Sequence, residues 1–152
     1  MQTFLPYPAY SDSMKVLDPS RLGNQVYREA FTLIRGGWRN HPASRLWRGH
    51  FHHLALYILA GLDELKSRGR HYPKHYQEAE QHLLSNENTG PPFWFGDPAF
   101  HAAHRSNLLR KDPIWYGQFG WTEPPDLPYL WPVIPLVVSK PVSIKFGRKI
   151  ND

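Results

Sequence analysis

Residues 41–69, HPASRLWRGHFHHLALYILAGLDELKSRG, carry apolar side chains at intervals of three and four along the whole stretch. These side chains are Trp47, Phe51, Leu54, Ile58, Leu62 and Leu65. A stripe with this period is typical of an amphipathic α-helix that packs against a core. The stretch has proline near its start and Gly69 at its end, so it predicts one long central helix.

Shorter helices are predicted on both sides of the long one. An Asp-Pro pair supplies an N-cap followed by proline at the first helical position, and such pairs open predicted helices at residues 18–35 and 97–110. A third pair, Asp112 and Pro113, opens a short aromatic turn. Residues 74–84, KHYQEAEQHLL, show a weaker helical pattern.

The C-terminal part of the chain is rich in proline, at positions 124, 125, 128, 132, 135 and 141. Because proline lacks a backbone N–H and breaks helices, residues 123–152 are predicted to form an extended tail that packs on the helical body. Residues 142–146 are a candidate strand. The predicted fold class is therefore mostly α, a compact single-domain helical bundle at residues 1–122 followed by the tail.

The composition describes a basic chain with enough apolar residues for a core. Its 152 residues include 18 Lys+Arg against 13 Asp+Glu, a formal charge of +5, and 41% of them are hydrophobic. Cysteine is absent, which excludes disulfides, a thiolate nucleophile and Cys-ligated metals. The N-terminus does not resemble a signal peptide, and no apolar run reaches the ~18 residues of a membrane span. We expect a monomeric cytoplasmic protein that does not contact membranes.

Glu29 interrupts the apolar stripe of the first predicted helix. At about 100° per residue, Leu22, Val26 and Leu33 define the stripe, and Glu29 falls in its middle, one turn after Gln25. One interpretation is structural, a buried carboxylate paired with an arginine of another segment. The other is functional, a carboxylate that acts as an acid or base or stabilises a developing cation. The neighbouring flank of the helix carries Arg21 and Arg28.

Two segments, residues 37–53 and 100–121, mix cationic side chains with aromatic rings. Cations neutralise phosphates, and exposed rings stack on unpaired bases. This combination predicts nucleic acid as the partner. A solvated cationic face is the alternative interpretation for the first segment.

Metal-binding and nucleotide-binding motifs have little support in the chain. His101 and His104 stand one helical turn apart, but the other histidines lack ligand spacing, so no metal and no cofactor are predicted. No phosphate-binding loop or serine-hydrolase motif occurs. A metal-dependent nuclease that uses His101 and His104 is kept as a lesser alternative.

The order of these elements resembles the pyrimidine-dimer DNA glycosylase family, of the phage endonuclease V type. The resemblance spans about residues 1–121. It rests on a basic first helix with an internal glutamate, GWRNHP at residues 37–42, a long helix that ends in LKSRGR, and HRSNLLRKDPIWYGQFGW at residues 104–121. The resemblance implies a helical enzyme that flips a nucleotide, cuts the glycosidic bond and nicks the strand without a metal.

The resemblance also implies roles for individual residues. In the family an N-terminal amine attacks C1′ of the sugar to form a Schiff base, and a glutamate on the first helix assists. Met1 and Glu29 are the matching positions, since the bulky Gln2 should leave Met1 in place. Glu29 stands later in its helix than in the family pattern, so Gln25 or Asn24 could occupy the polar site instead.

We therefore predict a DNA repair glycosylase, with AP-lyase activity, that acts on damaged or modified pyrimidines in double-stranded DNA of a bacterium or phage. The predicted catalytic residues are Glu29, Met1 and Gln25. The predicted DNA contacts are Arg21, Arg28, Arg39, His41, Arg45, Arg48, Arg105, Arg110, Lys111, Trp115 and Tyr116, with Trp38 and Trp47 as further stacking candidates. The chief alternative is a non-catalytic nucleic-acid-binding protein descended from such enzymes.

Overall fold

The computed structural model describes residues 1–132, and the regular secondary structure in this range is helical. In chain order they are α1 (Tyr10–Val16), α2 (Pro19–Gly23), a π-helix (Asn24–Ala30), α3 (Phe31–Ile34), α4 (Pro42–Trp47), α5 (Phe51–Ser67), α6 (Pro73–Ser85), α7 (Pro98–Lys111), α8 (Pro113–Tyr116) and a 3-10 turn (Gly117–Phe119). No strand occurs within residues 1–132, so the mostly α fold class is confirmed. The candidate strand at residues 142–146 lies outside the described residues.

The predicted helix starts are confirmed. In each Asp-Pro pair the aspartate side chain accepts a hydrogen bond from a backbone N–H of the first turn, and the proline opens the helix. His41 caps α4 in the same way, because its Nδ1 accepts from the Ala43 N–H at 3.0 Å. The weaker pattern at residues 74–84 lies within α6.

The single long helix predicted over residues 41–69 is wrong, because the chain breaks it into α4 and α5. Gly49, between the two helices, has φ of 81°. This left-handed conformation suits glycine and ends an α-helix. The apolar spacing continues across the break, so periodicity does not reveal it. α5 is central nevertheless, and packs against α1, α6 and the π-helix.

The first predicted helix is continuous from Pro19 to Ile34, but its geometry changes in the middle. In the π-helix the backbone hydrogen bonds run between residues five apart and the turn is wider than in an α-helix. Angles counted at about 100° per residue therefore fail there. Val26 and Ala30 are fully buried, whereas Glu29 is only partly buried and lines a cavity. The predicted position of Glu29 in the middle of the apolar stripe is wrong.

The N-terminal segment, residues 1–6, runs through the protein in an extended conformation. Gln2, Thr3, Phe4 and Leu5 are each at most 5% exposed. Within residues 1–132 no strand pairs with the segment, and side chains of the surrounding helices bond to its backbone N–H and C=O groups instead. For example, the Tyr57 hydroxyl donates to the Phe4 carbonyl at 3.1 Å. The first residues of the chain are thus held in a fixed place.

The first ten residues of the tail lie on α7. Arg105 holds the carboxylate of Glu123 through two hydrogen bonds of 3.0 and 2.9 Å. The hydroxyl of Ser106 accepts from the Leu127 N–H at 3.0 Å. Trp131 is completely buried. These contacts attach residues 123–132 to the helices, while the division of the chain at residue 122 stays a prediction.

Candidate active site

A cavity of about 330 Å³ opens where the N-terminal segment meets the π-helix. We call it the N-terminal cavity. Its lining includes the three predicted catalytic residues, Met1, Gln25 and Glu29, and two predicted DNA-binding cations, Arg21 and Lys111. The volume is at the lower end of the range of about 300–1,000 Å³ that is usual for small-molecule sites. The fold thus brings together residues from the start, the first helix and the end of α7.

Hydrogen bonds fix the start of the chain beside the carboxylate of Glu29. The backbone N–H of Gln2 donates to Glu29 Oε2 at 3.1 Å. The side-chain amide of Gln25 donates to the same oxygen, while its own Oε1 accepts from the Phe4 N–H at 3.1 Å. Gln25 therefore links the main chain to the carboxylate, and Met1 is held at the edge of the cavity.

The carboxylate of Glu29 has no cationic partner within residues 1–132. Neither an Arg or Lys side chain nor the Met1 amine forms an ion pair with it there, and Arg21 pairs with Asp18 at 3.1 Å instead. The structural interpretation of a Glu29–arginine pair is therefore wrong for the described residues. Burial, and after it the charge of Glu29, raises the pKa of the Tyr57 hydroxyl. Within residues 1–132, Glu29 is a carboxylate with hydrogen-bond donors but no cationic partner, beside the first residue of the chain.

His101 and His104 hold the N-terminal segment. His104 Nδ1 accepts from the Leu5 N–H at 2.8 Å, and His101 Nδ1 bonds to the Leu5 carbonyl at 2.8 Å. His101 Nε2 also accepts from the Gly96 N–H, so both ring nitrogens of His101 have protein partners. Within residues 1–132 no group of three or more His, Asp or Glu side chains is arranged to hold a metal ion. The metal-nuclease alternative therefore has no support at these two histidines.

A second cavity, of about 950 Å³, carries further predicted DNA contacts. Its lining includes Arg39 and Arg48, which are both exposed, and the Arg48 guanidinium donates to the Arg39 carbonyl at 2.7 Å. Arg45 is partly buried in α4, and Arg28 is exposed on the π-helix. Trp38 lies just before this group in the chain and is 60% exposed. Arg39 and Arg48 at this cavity, with the exposed ring of Trp38 next to Arg39 in the chain, form what we call the basic surface.

Among the predicted DNA contacts in residues 100–121, four have partners inside the protein. Arg105 binds Glu123 and the Pro6 carbonyl, and Arg110 donates to carbonyl groups of the tail. The Trp115 indole donates to the Val16 carbonyl at 2.8 Å, and Tyr116 is completely buried. Trp47 is also completely buried. A buried ring cannot stack on a base, so we remove Tyr116 and Trp47 from the candidate interface and treat the other three residues as structural.

The sequence analysis missed Gln2, Phe4, Ser20 and, in the tail, Tyr129 as members of the N-terminal cavity. The signal was present, since Tyr129 and Trp131 are two aromatic residues between the prolines 128 and 132. Such residues in a proline-rich segment indicate that the segment docks rather than remaining solvated.

No helix within residues 1–132 has the length and hydropathy needed to cross a bilayer.

Three comparisons with known proteins gave one match. The family model described as pyrimidine dimer DNA glycosylase matches residues 1–78, half of the chain, and this range includes Met1, Gln25 and Glu29. No curated protein and no solved structure matches the chain. The resemblance noted in the sequence is confirmed over the matched residues, and the substrate that it implies is DNA. The chain belongs to the pyrimidine dimer DNA glycosylase family.

Proposed function

We propose that the protein cuts one glycosidic bond of a pyrimidine dimer in double-stranded DNA by attack of the Met1 α-amine on the sugar, and then cleaves the strand as an AP lyase. The hydrogen bond between the Gln2 N–H and Glu29 carries the proposal, because it holds the first residue of the chain beside a carboxylate that has no ion-pair partner within residues 1–132, in one cavity. An α-amine has an appreciable neutral, nucleophilic fraction near pH 7.

In the proposed reaction the lone pair of the amine forms a bond with C1′. The C1′–N bond breaks, and its electron pair goes to the base, which takes up a proton and stays joined to the other pyrimidine of the dimer. The nitrogen then loses a proton, its lone pair expels O4′, which takes up a proton to become a hydroxyl, and this leaves a protonated imine. Removal of a C2′ proton then expels the 3′ phosphate and nicks the strand, and water hydrolyses the imine to free the amine.

We assign two roles to Glu29, stabilisation of positive charge on the sugar and transfer of a proton. A carboxylate there stabilises the positive charge that develops on the sugar as the base departs, and it accepts the proton that the amine loses. Gln25 is a positioning residue, since it binds both the carboxylate and the Phe4 N–H. The buried amide of Gln25 keeps the Glu29 carboxylate turned towards the start of the chain.

The proposal includes extrusion of the target nucleotide, because a base inside a duplex cannot reach the N-terminal cavity. Trp38 is the candidate wedge, since its ring is 60% exposed on the basic surface. Arg21 and Lys111 at the N-terminal cavity, and Arg28, Arg39, Arg45 and Arg48, are the candidate phosphate contacts. His41 has a capping role in α4, and we propose that it orients this region rather than reading the DNA.

The test is reductive trapping of the imine. The protein is incubated with an oligonucleotide that contains one abasic site and with sodium borohydride, and we expect a covalent protein–DNA band with the DNA on the Met1 amine by peptide mapping. The matched control is the same chain with Gly-Ser placed before Met1, which we expect to bind DNA normally and to give no band. A band mapped to a lysine would contradict the role of Met1. Absence of any band, and of strand cleavage in a duplex that contains one thymine dimer, with DNA binding intact, would identify a non-catalytic binding protein.

A further inference from the structure

Tyr129 lines the N-terminal cavity although it belongs to the proline-rich tail, outside the residues matched by the family model. We infer that Tyr129 contacts the base of the nucleotide held in this cavity and so determines which base is excised. The inference rests on the proposed function, which places that nucleotide beside Met1 and Glu29.

The ring of Tyr129 is held in place from two sides. The Arg110 guanidinium lies over the ring, 5.8 Å from its centroid. The Trp131 ring stacks on it with a centroid distance of 6.1 Å and an interplanar angle of 26°, and Trp131 is itself completely buried. Side chains fixed before the ligand arrives lose less entropy on binding. The Tyr129 ring is therefore fixed in the lining of the cavity before a ligand binds.

The backbone that carries Tyr129 is tied to α7 at several points. Glu123 is held by Arg105, and the Leu127 N–H donates to Ser106. Arg110 donates to the Pro125 carbonyl at 3.0 Å. At the far end of the segment the Trp131 ring meets the ring of His41, with centroids 5.9 Å apart. The segment thus crosses from α7 to the start of α4 and brings Tyr129 to the cavity.

Of the residues that line the cavity, Tyr129 is the one suited to contact a base. Met1 and Glu29 are engaged with the sugar in the proposed reaction, and cations such as Lys111 suit phosphates. Phe4 also borders the cavity, but it is 3% exposed and packs edge-on against His104. Among the described lining residues, Tyr129 is the partly exposed aromatic ring. Because Arg110 lies over the Tyr129 ring and Trp131 stacks on it, the ring has its edge and hydroxyl left to contact a base in the cavity.

The test compares two substrates that differ in the presence of a base. One duplex contains a single thymine dimer, and the other contains a preformed abasic site. We expect Tyr129→Ala to lower the rate of glycosidic bond cleavage in the first by about tenfold or more, the scale of one lost base–ring contact, with the abasic sugar read as a strand break after mild alkali. Strand cleavage of the second should stay within about twofold of the wild type, because no base is present to lose a contact. Tyr129→Phe should retain both activities.

Tyr76→Ala is the matched control, because Tyr76 is also partly buried but lies on α6, away from the N-terminal cavity. It should leave the ratio of the two activities unchanged. The inference is overturned if Tyr129→Ala cuts the glycosidic bond at the wild-type rate, or if it loses both activities equally. Melting temperatures of all variants identify a loss of activity that comes from unfolding.

A binding measurement separates failure of the inference from failure of the proposed function. A wild-type protein that is inactive on both substrates refutes the proposed function. In that case the ratio of the Kd for undamaged duplex to the Kd for thymine-dimer duplex still decides the role of Tyr129. We expect Tyr129→Ala to lower this ratio by about tenfold. An unchanged ratio overturns the inference.

Discussion

The imidazole of His104 accepts a hydrogen bond from the backbone N–H of Leu5 at 2.8 Å, and both residues are completely buried. The accepting nitrogen must be unprotonated, so this contact requires a neutral ring. Burial lowers the pKa of His104 to about 3, and the neighbouring charges of His101 and Arg105 act in the same direction. The segment that lines the N-terminal cavity therefore depends on a histidine that stays neutral.

We expect the free energy of unfolding to fall as the pH drops from about 6.5 towards about 3. In this interval the unfolded chain binds a proton on His104, whereas the folded protein does not, so the loss reaches about 1.4 kcal/mol per pH unit for this group. Burial lowers the pKa of His101 as well, which adds a loss of the same sign. Urea unfolding over this range measures the effect.

His104→Asn is the control for this pH dependence, because its side-chain oxygen keeps an acceptor but does not titrate. The variant should be less stable near pH 7, since the ring of His104 packs on Phe100 with centroids 4.3 Å apart. Its stability should fall less steeply with acid than that of the wild type. An equal slope in both proteins would show that His104 is not the titrating group.

Glu29→Gln should separate catalysis from folding. The Gln2 N–H and the Gln25 amide both donate to the same oxygen of Glu29, and an amide oxygen can accept both bonds. We expect stability to change by less than about 1 kcal/mol and DNA affinity to be unchanged. The single-turnover rate of glycosidic bond cleavage should fall by about a hundredfold or more, because the charge is lost. An unaltered rate would leave Glu29 with only a structural role.

Local signals in the sequence predicted helix starts well, but not contacts between distant segments. Asp18, Asp97 and Asp112 act on the backbone within three residues, so the Asp-Pro pairs were sufficient evidence. His101 and His104 looked like a ligand pair because their partner, Leu5, lies at the other end of the described chain. Such a hydrogen bond leaves no periodic trace in either segment.

The periodicity of apolar residues also did not predict changes in backbone geometry. The apolar spacing continues through Gly49, although the helix breaks there. The same spacing assigns Glu29 to a buried stripe, whereas Glu29 in the π-helix lines the cavity. Met1, Gln25 and Glu29, which were predicted to act together, nevertheless line one cavity. That grouping came from the family resemblance, whereas their catalytic roles stay a proposal.

Replacing Trp38 with glycine should move stability and DNA binding in opposite directions. Trp38 is the non-glycine residue with positive φ, 55°, within residues 1–132, and its ring is 60% exposed. Glycine adopts this conformation without strain, which should stabilise the fold by about 1 kcal/mol. Loss of the ring should weaken binding to a thymine-dimer duplex by about tenfold.

Thermal unfolding and a DNA titration measure the two effects of this substitution. Trp38→Ala serves as the comparison, because it removes the same ring but keeps a Cβ at the positive φ. It should bind DNA as weakly as Trp38→Gly and be less stable. Unchanged affinity in both variants would remove Trp38 from the proposed interface.

A pair of glycine substitutions tests how closely α5 must approach the π-helix. A Cβ at Gly61 would lie 2.3 Å from Val26 Cγ2 and 3.4 Å from Met14 Sδ. Alanine favours a helix by about 1 kcal/mol, but overpacking a core costs about 1–3 kcal/mol. We therefore expect Gly61→Ala to be destabilising on balance, as measured by urea unfolding.

Gly23→Ala is the matched control, because its φ is −61° and a Cβ there meets no atom within 4 Å. It should stabilise the protein by about 0.4–1 kcal/mol. Gly61→Ala should also slow glycosidic bond cleavage, since moving α5 away from Val26 displaces the helix that carries Glu29. Equal stability of the two variants would mean that α5 shifts without cost, and the carboxylate would then not depend on this contact.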